Sequence, residues 1–306
     1  MNRSADTVRS GIPVPRIAGG WRRVLSYPGH HLNDFCWFRG LDGRFHAIGI
    51  LGTGTWASET SLFHVSAASP DGDYQIHDPL FPEIEQGPTA NAAPQKHAPF
   101  VVVHDGLHHV WFRRPKGTNL HLTSHDLKTW SRPDLAFEER DARDACIIQI
   151  DGVWHWYHVQ VAAVDGIDRS CVLLRTSVDL LAWDAGRVVF ADLGRVATHA
   201  KLESPYVIVR EGWFLLFVRE RLREDGRNPA PASIWASRRS DHFTQEDGPV
   251  TKFPDLQAPE ILEHDGRWWI ARISGVSHAC AHRDRDGHGW LEVAVLEFTT
   301  AEHLES

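Results

Sequence analysis

Five times in 306 residues an apolar run meets an acidic residue followed by glycine, and an aromatic run follows. The pairs are Asp42-Gly43, Asp105-Gly106, Asp151-Gly152, Glu211-Gly212 and Asp265-Gly266. Such a pair supplies the positive-φ positions of a two-residue turn, and β-branched and aromatic residues suit both arms of a hairpin. Pro99-Phe-Val-Val-Val-His before Asp105 and Val110-Trp111-Phe112 after it show the pattern. From Gly43 to Gly106, Gly152, Gly212 and Gly266 the successive intervals are 63, 46, 60 and 54 residues.

A second phrase follows most of these hairpins. It reads Thr123-Ser124-His125-Asp126-Leu127 with Trp130, then Thr176-Ser177-Val178-Asp179-Leu180 with Trp183, and more weakly Ala236-Ser237 with Asp241 and Phe243. A unit of about 55 residues holding two hairpins is one four-stranded propeller blade, and period comes before every other sequence signal. The fold expected is all-β: a five-bladed β-propeller of antiparallel four-stranded blades around a central funnel. It forms one catalytic domain over residues 1–306, with 1–20 as an N-terminal extension. A β-sandwich of many hairpins is the alternative, but it gives no reason for the two phrases to recur together.

The innermost strand of a propeller blade lines the channel, so the residues that open each first arm gather at one mouth. These are Asn33-Asp34, His97-Ala98-Pro99, Arg143-Asp144, Leu202-Glu203 and Ala258-Pro259-Glu260. Asp34, Asp144 and Glu203 are read as standing at equivalent points of the repeat, and converging carboxylates point to acid/base chemistry on a sugar.

Composition narrows the partners. The net charge is −8 with no block of like charge, which offers nothing to nucleic acid or an anionic membrane. No apolar run is long enough to span a bilayer. Residues 1–21 lack the continuous apolar stretch of a signal peptide. Cys36, Cys146, Cys171 and Cys280 lack close C-x-x-C spacing. Reduced thiols in the cytoplasm, no cofactor and a small saccharide partner are expected, in a monomer or homodimer. Thirteen Trp are many for this length. Trp offers a flat face to a sugar ring, although strand-end packing is its commoner use.

His31-Leu-Asn33-Asp34, Arg143-Asp144 and Leu202-Glu203-Ser-Pro resemble the three signatures of the five-bladed glycoside hydrolases of the invertase-like and arabinanase-like group (families 32 and 43). Asn33-Asp34 is similar to the Asn-Asp-Pro of the invertase group, Arg143-Asp144 to its Arg-Asp-Pro, and Glu203 to the acid of its Glu-Cys-Pro. Phe35 and Ala145 stand where those motifs have Pro. The β-sandwich appended in many invertase-like enzymes has no room in this chain.

Glycoside cleavage needs a proton for the leaving oxygen and a carboxylate across the sugar. The resemblance makes Glu203 the acid and Asp34 the nucleophile or base. Asp144 orients hydroxyl groups and stabilises the oxocarbenium-like state, and Arg143 either holds it ionised or bonds a loop carbonyl. The substrate expected is a β-fructofuranoside or an α-L-arabinofuranoside. A transferase or dianhydride-forming enzyme on the same site, or a non-catalytic sugar-binding propeller, are the alternatives. Substrate contacts are expected from Asn33, His97 and Glu260, with a satisfied strand-end histidine as the other reading of His97 and rim placement as that of Glu260. Trp37, Trp56 and Trp111 are candidate stacking platforms, and His278 is a candidate to point up the channel. Lys96, Arg113, Arg114 and Arg219 suit an anionic sugar but read more simply as solvated surface. The cluster from His282 to His288 lacks regular ligand spacing and reads as a charged hairpin tip.

Overall fold

The computed structural model describes residues 11–53, 58–81, 96–114, 117–220, 231–246, 248–254, 256–273 and 288–300. Trp56, His278, Cys280 and the segment 282–287 lie outside the described residues.

Twenty strands form five four-stranded antiparallel sheets, one per blade. Strand β1 (Pro13–Tyr27) precedes blade one in the chain. Blade one holds β2 (His31–Arg39), β3 (Phe45–Gly52), β4 (Ser61–Ala67) and β5 (Gln75–Ile76). Blade two holds β6 (His97–His104), β7 (Leu107–Arg114), β8 (Thr118–Ser124) and β9 (Asp134–Glu138). Blade three holds β10 (Arg143–Ile150), β11 (Val153–Val164), β12 (Ile167–Ser177) and β13 (Arg187–Ala191). Blade four holds β14 (Leu202–Arg210), β15 (Trp213–Glu220), β16 (Ala232–Ser237) and β17 (Thr251–Phe253). Blade five holds β18 (Glu260–His264), β19 (Arg267–Ile273) and β20 (Gly289–Thr300), and its outer strand is β1. The inner strands β2, β6, β10, β14 and β18 contact one another in cyclic order, which makes the ring of a five-bladed β-propeller.

Strand β1 runs antiparallel to β20, with Pro13 opposite Thr300 and Tyr27 opposite Gly289, so the chain from Pro13 on is part of a blade. The earliest described strand and the latest complete one blade.

Four of the five turns behave as their sequence predicts. Asp105-Gly106, Asp151-Gly152, Glu211-Gly212 and Asp265-Gly266 have φ near +50° followed by φ of +72° to +80°. That is a type I′ turn, whose twist matches the strands it joins. Asp42-Gly43 departs: only Gly43 has positive φ, and the loop is longer, closed by Gly43 N–H to Gly40 O at 3.0 Å.

The second phrase is a structural turn. Ser124 Oγ accepts the N–H of Leu127 at 2.8 Å, and Asp126 Oδ1 accepts those of Lys128 and Thr129 at 2.8 and 2.7 Å. Those backbone bonds pull the Asp126 carboxyl down to about 2. Ser177, Asp179 and Leu180 repeat the arrangement. The turn tucks Leu127 and Leu180 into the core at positive φ, so the phrase recurs because packing needs it.

Between blades the core is aromatic. Trp111 is 1% exposed, stacked on His121 at 4.6 Å and edge-on to Trp156 at 5.9 Å. Trp37 is 3% exposed and donates its indole N–H to Tyr74 Oη at 2.6 Å. Neither presents a face to a sugar, which corrects their reading as platforms: each is worth more as buried area between sheets.

Candidate active site

The inner strand of blades one to four begins with a register slip, between Asn33 and Phe35, His97 and Phe100, Arg143 and Cys146, and Glu203 and Tyr206. Such a bulge sets an extra residue against its partner strand and re-aims a side chain. Ala98, Asp144 and Ser204 take positive φ at the slip, and Ala258 does so just before β18. Aligned on this backbone, Asp34 matches Asp144, whereas Glu203 matches Asn33, His97 and Arg143. The three acids are therefore not at equivalent points. Asp34 and Asp144 are, and Glu203 stands one residue earlier in its blade. Glu260 falls two residues later, level with Cys36 and Cys146.

The slips nevertheless bring the acids together. A narrow pocket of about 310 Å3, open solvent included, is lined by Asp34, Asp144, Ser204 and Glu260 with the neighbouring Pro99, Pro205 and Pro259. Burial first, then the charges of Asp144 and Glu203, push the Asp34 carboxyl up to about 8. Asp144 is 9% exposed; its Oδ2 accepts Arg143 Nη1–H at 2.5 Å and the Ser204 N–H at 3.0 Å. Arg143 also donates to the carbonyls of Ala200 and Leu202 and lies 3.7 Å from Glu203 Oε1. Burial works against the Arg143 charge, but Asp144, Glu203 and Asp34 outweigh it and hold the guanidinium above its ordinary range. Asn33 Oδ1 accepts from Gln257 Nε2 at 3.4 Å.

Two partners in this site are not evident from the sequence. Arg219 Nη2 lies 3.2 Å from Glu203 Oε2. Glu59 sits between two histidines, with His31 Nε2 3.0 Å from Oε1 and His97 Nε2 3.0 Å from Oε2. Burial would raise the Glu59 carboxyl; its bonds to His31 and His97 prevail and hold it below the usual range. His97 is thus turned to Glu59, a residue outside both repeated phrases.

Glu260 is a buried acid of the pocket lining rather than a rim acid. It is 6% exposed, and its Oε2 accepts the Trp37 N–H at 3.1 Å, joining blade five to blade one. Burial pushes its carboxyl well above the ordinary range. Level with it, Cys36 Sγ accepts the Val101 N–H at 3.2 Å and Cys146 Sγ that of Val207 at 3.3 Å, each from the next blade. Lys96, Arg114 and Arg219 are buried at 0%, 2% and 4% exposure, and Arg113 is half-buried, which corrects their reading as solvated surface. Among the described residues no three His, Cys, Asp or Glu side chains are grouped to hold a metal ion, and no helix is long and apolar enough to cross a membrane.

No protein-family model and no curated protein matches the sequence. Solved structures match the fold. An exo-1,5-α-L-arabinanase from a bovine ruminal metagenomic library aligns with a TM-score of 0.61 at 12% identity, over 88% of this chain and 93% of that one. A Bombyx mori β-fructofuranosidase solved with sucrose aligns at 0.68 and 15% identity, over 94% and 67%. A Lactobacillus gasseri sucrose-6-phosphate hydrolase aligns at 0.67 and 15%, over 90% and 62%. This chain spans nearly all of the arabinanase but about two thirds of the other two. At these identities the shared property is the fold, and by fold the chain is similar to the glycoside hydrolases of families 32 and 43.

Proposed function

We propose that the protein is a glycosidase that cleaves a furanoside of a small saccharide, a β-fructofuranoside or an α-L-arabinofuranoside. The carrying observation is that Asp34 and Asp144 line one narrow pocket with Glu203 in electrostatic range, where burial and then the charges of the other two acids push the Asp34 carboxyl up to about 8. A hydrolase of this kind starts with one carboxyl protonated and one ionised. Asp34, holding its proton beside two further acids, supplies the protonated member of such a pair. The fold likeness to an arabinanase and a fructofuranosidase supports the furanoside.

Glu203 gives its proton to the leaving oxygen, and Asp34 attacks the anomeric carbon or activates water. Asp144, held by Arg143 and the Ser204 N–H, faces the positive charge that develops on the ring. In the free protein Asp34 holds a proton. Sugar hydroxyl groups donating to Asp34 favour its ionised form, and the proton passes to Glu203. The contacts of Arg219 and Arg143 with Glu203 favour a second assignment with the two roles exchanged. Leaving groups separate the two. A nitrophenyl glycoside needs no protonation, so the variant lacking the acid keeps activity on it and loses activity on sucrose or arabinobiose. Glu203→Gln should behave so, and Asp34→Asn should lose about 10³-fold or more on every substrate. The converse pattern exchanges the roles. A screen of nitrophenyl furanosides and pyranosides, sucrose and small fructans identifies the substrate. Full activity in both variants, on a substrate the wild type cleaves, sinks the proposal.

A further inference from the structure

Strands of blades two, three and four carry Arg113, Arg143 and Arg219, and the last two each meet a carboxylate. Arg143 holds Asp144 and two backbone carbonyls. Arg219 holds Glu203. Arg113 makes no ion pair, and its buried Nε has no hydrogen-bond partner among the described residues.

The repeat shows what distinguishes Arg113. In blade four, Arg219 stands directly across the hairpin from the head residue Glu203. In blade two, Arg113 stands in the same place across from His97. Arg219 meets a carboxylate there. Arg113 meets an imidazole, and that imidazole is turned to Glu59. The same cation is thus built twice, once with its anion and once without it.

Nearby acids do not supply the missing partner. Asp144 lies in the electrostatic range of Arg113, but its Oδ2 is already met by Arg143 and by the Ser204 N–H. Asp34, also within that range, holds its proton at neutral pH. Burial pulls the Arg113 pKa down, the response of a cation that has lost water without a full replacement. A neutral hydroxyl needs only a dipole to bind. A half-buried guanidinium is a planar fork that fits carboxylate and phosphate oxygens two at a time.

We propose that the sugar this site takes carries an anionic substituent, a phosphate ester or a carboxylate, and that Arg113 binds it. This deepens the glycosidase reading and rests on it for the word substrate, but its test needs no turnover. Isothermal titration compares fructose 6-phosphate with fructose and glucuronate with glucose at pH 6.5, for the wild type, Arg113→Gln and Arg113→Lys. At least one anionic sugar should bind the wild type about tenfold or more tighter than its neutral counterpart. Arg113→Gln should erase that preference, and Arg113→Lys, which keeps charge but loses the fork, should retain part of it. Preference for fructose 6-phosphate alone identifies a phosphate, and for glucuronate alone a carboxylate. Equal binding of charged and neutral sugars by the wild type overturns the proposal. So does an Arg113→Gln variant that weakens both members of a pair equally, because Arg113 would then serve only as counter-charge for Asp144. If Arg113→Gln does not fold, the wild-type comparison and Arg113→Lys decide. Anion preference without cleavage of any glycoside sinks the hydrolase reading alone; cleavage of neutral and charged glycosides with equal affinity sinks this one alone.

Discussion

At Asp34 burial and like charge act in the same direction. Both favour the neutral carboxyl, so the folded protein binds a proton there that the unfolded chain releases near pH 4. The sign follows directly. Between about pH 4 and pH 8 the folded state holds more protons, and stability contributed by this group is complete at the acid end and is lost as pH rises through 8. Asp34→Asn keeps the shape and removes the repulsion. It should match the wild type near pH 4 and exceed it at pH 8.5 by about 1–3 kcal/mol, read as a higher Tm in calorimetric scans at the two pH values. A variant with the same Tm difference at both would refute a charged origin. Function at this residue thus opposes stability, as is common where catalysis needs unlike carboxyls close together.

Arg219 shows why part of the site was hidden in the sequence. Counting outward from the Glu211-Gly212 turn sets Glu203 against Glu220, but the bulge moves Arg219 into that place. The same slip in blade two moves Arg113, rather than Arg114, opposite His97. A bulge leaves no residue signature of its own; here the positive-φ position is Ala98, Asp144 or Ser204. Turns, by contrast, were legible because Asp-Gly and Glu-Gly are chosen for their backbone geometry. Trp37 and Trp111 misled for a related reason. Their side chains suit a sugar and a core equally, and only burial distinguishes the two uses.

The bulge itself is an element under test. Ala98 and Ala258 hold φ of 44° and 45°, where a Cβ costs about 1–2 kcal/mol. Ala98→Gly and Ala258→Gly remove that clash but loosen the unfolded chain, so each should raise stability by about 0.5–1 kcal/mol in urea titration. Unchanged or lower stability in both would mean that the methyl groups, 9% and 5% exposed, contribute more by packing than they cost in strain.

For the molecule as a whole, five blades need five seams, and the seam between blades five and one is made twice. Glu260 takes the Trp37 N–H near the axis, and β1 pairs with β20 at the rim. Removing Pro13–Tyr27 leaves β20 as a long open edge, the kind that invites edge-to-edge association. Such a deletion should lower Tm by about 10 °C or more and move protein into aggregates on size-exclusion chromatography. A monomer of wild-type Tm would show that the inner seam suffices. Number and order of blades were readable from the recurring phrases, whereas this closure was not, since residues 13–27 carry neither phrase.

The pairing of β1 with β20 has a further consequence during synthesis on the ribosome. Strand β1 emerges before any of blade one, yet its partner is made only after the other four blades are complete. Until β20 is made, β1 has no strand to pair with, and its apolar positions lack that cover. The nascent chain therefore carries its own fastening strand exposed until nearly the end, which is the interval in which a holding chaperone has most to protect.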